Sequence, residues 1–294
     1  MLKNYMPKET SHGNITFPLS VYKSSTNFDE CILYSHWHDE VEFFYLASGN
    51  ATFFIDNKTV EINSGEVIFI NSGEIHSAYS KNFSECKFYA IVFDLNMLMS
   101  NKIGECQNKY LYPLIHKYYE MPQKFSYTSK WEITILEKSK IIINNYINSV
   151  PGYEIIIIAC LYTIISELII NDKLYTRNNT ISKQSSYKLE QLKKALTFIH
   201  SNYNKKISML DIAKEVNMSQ YHFCRFFKTM SGCTPFEYLI SYRINSAEKL
   251  LNDTDKTITT IAYEVGFDTV SYFIKTFKKI KKNTPAQFRE AYGN

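Results

Sequence analysis

The sequence has no pair of cysteines at C-x-x-C spacing; its six, Cys31, Cys86, Cys106, Cys160, Cys224 and Cys233, are scattered. That argues against a zinc ribbon or a disulfide framework and for reduced thiols, as in a cytoplasmic protein. Glycine and proline are also scarce, 9 and 7 in 294 residues, too few for a collagen-like or low-complexity chain. No basic segment followed by an apolar run opens the sequence, so a cleaved signal peptide is not expected. The longest apolar run, Ile155 to Ile165, covers 11 residues. About 20 are needed to cross a bilayer. A buried helix is expected there, and no membrane partner.

Aromatics are plentiful, with 23 Tyr and 20 Phe, while hydrophobic and charged contents of 45% and 21% are ordinary for a globular chain. The length favours two domains, each able to build a core. Charge is unevenly spread. Residues 181–294 hold 18 Lys/Arg against 10 Asp/Glu, a balance of +8, and residues 1–180 hold 15 against 19, a balance of −4. A basic second half points to a polyanion partner, with a merely solubilising surface as the alternative.

Residues from about 15 to 95 form short aromatic and β-branched runs. Turn residues Ser48-Gly49-Asn50, Asp56-Asn57-Lys58, Asn63-Ser64-Gly65 and Asn71-Ser72-Gly73 punctuate them. This predicts a β-sandwich or small barrel. "WEITILEKSKIIINNYINS" and "YEIIIIACLYTIISELIIND" then read as two helices broken by Pro151-Gly152. The second is apolar nearly all round and needs cover from the barrel or from a second subunit. The polar stretch 176–186 is the linker candidate between domains 1–175 and 187–294.

The second half carries one phrase twice. Ile212, Ala213, Glu215 and Val216 recur as Ile261, Ala262, Glu264 and Val265. After a one-residue insertion, Phe223, Phe227 and Lys228 recur as Phe273, Phe277 and Lys278, and both copies close on Thr-Pro. Ser208 and Ser219 are placed to cap two helices around a turn at Asn217-Met218, with Phe223, Phe226 and Phe227 as the apolar stripe of the second. In the second copy Gly266-Phe267 turns, and Asp268 or Thr269 caps. Thr234-Pro235-Phe236-Glu237 starts a long connecting helix. Helix, tight turn, helix is the geometry that lays its second helix in a DNA major groove. The residues turned away from the stripes are Gln220, Tyr221, Cys224, Arg225 and Lys228, then Val270, Ser271, Ile274, Lys275 and Lys278. Arg225 is the first candidate for a base or phosphate contact. The lysines suit phosphates, and Val270 and Ile274 suit thymine methyls.

Residues 189–292 resemble the DNA-binding domain of the AraC/XylS family of transcription regulators, most specifically in "IAYEVGFDTVSYFIKTFKKIKKNTPAQFR". The resemblance implies two recognition helices per monomer, in successive major-groove segments. Asn283 stands where the family usually has a helix-exit glycine, and Asn tolerates the left-handed conformation required.

In the first half, His36, His38 and Glu42 have H-x-H-x3-E spacing, and "GEVIFINSGEIH" supplies His76. Both stretches resemble cupin motifs, with Asn71 in place of a usual Pro and Ser80 in place of a frequent Asn. Shared strand parity would point His36, His38 and Glu42 into the barrel. Three readings stand: a metal centre, an effector pocket, or a hydrogen-bonded brace. Trp37, Phe44, Phe69 and Tyr79 are candidates to stack on a sugar. The AraC-type resemblance favours the effector pocket, with no metal, no cofactor and no catalytic residue.

The reading is an α+β chain with an N-terminal cupin-like barrel and appended helices, followed by an all-α tandem helix-turn-helix domain. Its expected function is ligand-responsive transcription regulation in the cytoplasm, with activation the commoner family outcome. Promoter DNA, a small-molecule effector (a sugar among the candidates), RNA polymerase and a second copy of the chain are its expected partners. The alternative is a metal-dependent cupin isomerase or dioxygenase with an appended helical domain.

Overall fold

The computed structural model describes residue 13 and residues 16–26, 31–56, 58–81, 85–100, 104–176 and 183–292. The chain divides into two compact units, residues 1–182 and 183–294. Residues 177–182, within the expected linker, lie outside the described residues. The next helix begins at Lys183 rather than Tyr187. Polar composition alone does not separate a loop from the solvated first turn of a helix.

The first unit opens with eight strands, β1 (Leu19–Thr26), β2 (Cys31–His36), β3 (Val41–Ser48), β4 (Asn50–Ile55), β5 (Lys58–Asn63), β6 (Val67–Ile70), β7 (His76–Ser80) and β8 (Cys86–Phe93). After α1 (Tyr112–Ile115) come β9 (Tyr119–Glu120), β10 (Lys124–Phe125), α2 (Lys130–Ile147), α3 (Tyr153–Ile170) and β11 (Tyr175–Thr176). One antiparallel sheet runs β1-β8-β3-β6-β10 and another β2-β7-β4-β5, with a small β11-β9 pair. Phe44, Leu46, Phe53, Ile55, Ile68, Phe88 and Val92 fill the space between the sheets. Alternate residues of the five-stranded sheet, Phe43, Phe69, Ile91 and Phe93, join the helices in a second core with Leu114, Ile135, Leu136, Leu161 and Ile164. Because β3 is buried on both faces, it reads as a near-continuous apolar run. Outer strand β5 is largely exposed and polar.

The two-sided burial corrects the proposed stacking platform. Phe44 and Phe69 are core residues in different layers, so they cannot face one ligand. Asn71 also earns its place against the cupin proline: its side chain accepts from Met121 N at 3.0 Å, tying β6 to the β9–β10 segment. α3 occupies the stretch read as the second helix and ends at Ile170. Its 18 residues, by length and composition, are enough to cross a membrane. The helix continues past the apolar run through Ser166 and Glu167, since helix length is not bounded by hydrophobic residues. One face, Ile157, Cys160, Leu161, Ile164, Ile165 and Leu168, is buried in the core, while Ile155 and Ile170 are each 74% exposed.

The second unit contains α4 (Lys183–Asn202), α5 (Met209–Glu215), α6 (Gln220–Ser231), α7 (Pro235–Asp253), α8 (Ile258–Glu264), α9 (Val270–Lys281) and α10 (Pro285–Tyr292). Ser or Thr begins six of them in turn. Ser208, Ser219, Thr234, Thr257, Thr269 and Thr284 each accept a backbone N–H three residues on. Asp211, Glu237 and Gln287 return a bond to the capping residue's N–H, closing reciprocal boxes. The one-residue insertion lies in the second turn. Met218 N bonds Ala213 O and Phe267 N bonds Ala262 O in the same way, after which Asp268 is the extra residue.

The helix exit of the second copy needs a correction. The left-handed residue is Lys282, with φ 63°, not Asn283; its counterpart in the first copy is Gly232, with φ 81°. Lys282→Gly would relieve the crowding of Cβ in that conformation and is expected to stabilise this unit by about 1 kcal/mol or less. A rise in the denaturant midpoint at constant slope checks it.

Candidate functional site

The outward faces of α6 and α9 follow from their inward ones. Phe223 and Phe227 on α6, and Phe273 and Phe277 on α9, are fully buried. Phe226, expected in the same stripe, is only half-buried. Opposite them, Gln220, Tyr221, Arg225 and Lys228 are exposed on α6, as are Ser271, Lys275 and Lys278 on α9. Cys224 is half-buried. Val270 and Ile274 are too, and they pack against the second motif's core, so they are less available to a groove than their spacing implied. Arg225 lies over the Tyr221 ring, 5.8 Å from its centroid. His222 and Tyr272, which the sequence reading did not single out, are exposed in the first turns of the two helices.

Two arginines set the helix pairs in place, and neither was singled out from sequence. Arg243 on α7 donates to Tyr203 O at 2.7 Å and Lys205 O at 2.9 Å, in the link between α4 and α5. Arg289 on α10 donates to Leu251 O at 3.4 Å and Lys256 O at 2.6 Å, at the end of α7 and in the link to α8. Each motif is thus clamped by the helix that follows its recognition helix.

In the first unit, His36, His38, Glu42 and His76 meet. His36 ends β2 and pairs with His76 at the start of β7, while Glu42 on β3 shares the inward face with Phe44 and Leu46. His38 sits in the β2–β3 connection, so the chain turns between the first and last ligand-type residues instead of carrying all three on one strand. All four are buried, none more than 3% exposed. His38 Nε2 is 3.2 Å from Glu42 Oε2, and His76 Nε2 is 3.4 Å from the same oxygen. Burial, with His76 and His38 alongside, holds His36 well below the usual histidine range. For His38, burial opposes the charge but the Glu42 carboxylate outweighs it, so its pKa is raised. Burial would raise Glu42, yet the two imidazoles beside it leave it well below the usual carboxylate range. Each partner thus favours the charged form of the other across the 3.2 Å His38–Glu42 contact.

A β-barrel with a buried polar cluster and a unit with two helix-turn-helix motifs together define a ligand-binding, DNA-binding regulator. Two family models match, one described as an AraC-like ligand binding domain over residues 31–117 and one as a helix-turn-helix domain over residues 212–291. The HTH-type transcriptional regulator YdeC of Bacillus subtilis, itself uncharacterized, is 30% identical over 285 residues, 96% of this chain and 94% of that protein. The chain belongs to the AraC family of transcription regulators. The melibiose operon regulatory protein of Escherichia coli K12 is 25% identical over 87% of this chain and 83% of its own. The solved structure of ToxT from Vibrio cholerae covers 95% of this chain and 99% of that one, at 18% identity and TM-score 0.44. The protein is a ligand-responsive DNA-binding transcription regulator, and the cupin-enzyme alternative falls.

Proposed function

We propose that the chain acts in the cytoplasm as a homodimeric activator, each copy laying α6 and α9 into successive major-groove segments of promoter DNA. In this reading Gln220, Tyr221, Arg225 and Lys228, with Ser271, Lys275 and Lys278, face the DNA. Cys224, Val270 and Ile274 contribute apolar edges. The carrying observation is that both helices bury a phenylalanine pair and expose a basic strip on the opposite side. A small-molecule effector is sensed at His36, His38, Glu42 and His76, and shifts DNA affinity because it binds one arrangement of the chain more tightly than another. Sugars are candidates by kinship with the melibiose operon regulator. Exposed Ile155 and Ile170 on α3 support a second copy covering that helix, and activation implies contact with RNA polymerase.

The test is anisotropy with duplexes selected from a random-sequence library, across a salt series. Lys275→Ala is expected to weaken binding evenly across sequences and to reduce the slope of log affinity against log salt by about 1. Arg225→Ala is expected to cost about 10- to 100-fold on the selected site and less on unrelated DNA. Affinity independent of salt and of both residues would sink the reading.

A further inference from the structure

The two helix-turn-helix motifs are joined twice. The first join is α7, whose 19 residues span about 28 Å at the usual helical rise. The second is lateral. Tyr203, in the α4–α5 link of the first motif, packs against the hydrophobic core of the second. Its ring meets Tyr242 of α7 edge-on, with centroids 4.9 Å apart. Its carbonyl comes so close to the second motif's turn that a Cβ on Gly266 would stand 2.6 Å from it.

Arg243 sits in the middle of this contact and is 9% exposed. Its Nε donates to Tyr203 O at 2.7 Å and its Nη2 to Lys205 O at 2.9 Å, both in the first motif's link. The same two nitrogens would stand 3.0 Å from a Cβ on Gly266, and the guanidinium lies 6.0 Å from the centroid of the Phe267 ring. Burial works against the guanidinium's charge, while Asp268, the extra residue of the second turn, favours it. One side chain thus touches the link of one motif and the turn of the other. Arg289 differs, because its bonds to Leu251 O and Lys256 O tie α10 to the stretch that leads into the second motif.

A helix can bend and twist along its length, so α7 alone would leave α6 and α9 some freedom in separation and phase. A packed contact to one side of that axis restrains both motions. We propose that Arg243 is a specificity-determining residue that sets the spacing the chain accepts between its two DNA segments, by locking the first motif's link to the second motif's turn. The inference rests on the reading that α6 and α9 enter successive major-groove segments. One added base pair moves the second segment by about 3.4 Å and turns it by about 35°. With no gap between Tyr203 O and Gly266, α9 cannot follow, and contacts to one segment are given up.

The full-length chain is tested on the selected duplex, with its protected segments located by hydroxyl-radical footprinting, and on versions with one or two base pairs inserted between them. The readout is the ratio of affinities, original over inserted. Wild type is expected to show a ratio of about 30 or more, since the insertion prevents simultaneous engagement. Arg243→Lys is expected to bring it to about 3 or less, because an ammonium lacks the fork that reaches both carbonyls. Arg289→Lys is the control for a clamp that does not bridge the motifs, and its ratio should match wild type. Far-UV circular dichroism establishes folding. If Arg243→Lys is unfolded, Phe267→Leu, which keeps apolar bulk but removes the ring beside the guanidinium, supplies the comparison, with the same narrowing expected. An unchanged ratio in the folded variant, equal narrowing by Arg289→Lys, or a wild-type chain indifferent to the insertions overturns the spacing role. Protection of a single segment instead overturns the two-groove reading, and this inference with it.

Discussion

Gly266→Ala is expected to destabilise the unit spanning residues 183–294 by about 3 kcal/mol, combining a left-handed backbone penalty with a steric clash. Gly266 has φ 90°, and a Cβ there would stand 2.6 Å from Tyr203 O and 3.0 Å from both Arg243 Nε and one terminal guanidinium nitrogen. The carbonyl is backbone and the guanidinium is bonded to it, so neither can yield cheaply. Methyl insertion would push Arg243 off the α4–α5 link and unseat the second turn together. Both tryptophans, Trp37 and Trp131, belong to the first unit. The unfolding transition by tryptophan fluorescence should therefore stay put while that by far-UV circular dichroism moves to lower denaturant. Coincident, unmoved transitions would show that the close approach does not matter. The first motif solves the same turn with Asn217 at φ 53°, a residue that tolerates the left-handed region.

Phe227→Ala is expected to cost about 3–5 kcal/mol, the range for deleting a fully buried aromatic side chain. The ring is completely buried and sits 5.6 Å, edge-on, from both Phe223 and Tyr238. Tyr238 in turn bonds His200 Nε2 at 2.7 Å, so one ring joins α6 to α7 and, through it, to α4. Removing it takes away the edge contacts to Phe223 and Tyr238 and leaves a cavity between α6 and α7. Phe236, nine residues on and 52% exposed, is the internal control: its alanine variant should lie within about 0.5 kcal/mol of wild type. A similar small loss for both would mean that α6 is not held by this core, and the presentation of Arg225 and Lys228 would need another cause.

The tandem unit was legible because its signals are local. Capping hydroxyls, a proline at the first helical position and phenylalanines at i, i+4 spacing act over three or four residues, so residue order carries them directly. The clamps were not legible: Arg243 and Arg289 act on carbonyls 33 to 40 positions away in sequence. The barrel divides in the same way. Turn residues marked its strands, but the pairing order β1-β8-β3-β6-β10 and the short strand β10 depend on contacts between distant segments. Phe44 and Phe69 looked equivalent until the sheet placed them in different layers.

Order along the chain was therefore enough to establish two units, a doubled DNA-reading device and the identity of four ligand-type residues. Tertiary structure decided which aromatic rings are core, which residue takes the left-handed exit at Lys282, and that His36, His38, Glu42 and His76 converge on one buried point. The physical reason is range. Caps and helical stripes are set by neighbours, whereas convergence at a site is set by how strands far apart in sequence pair and turn.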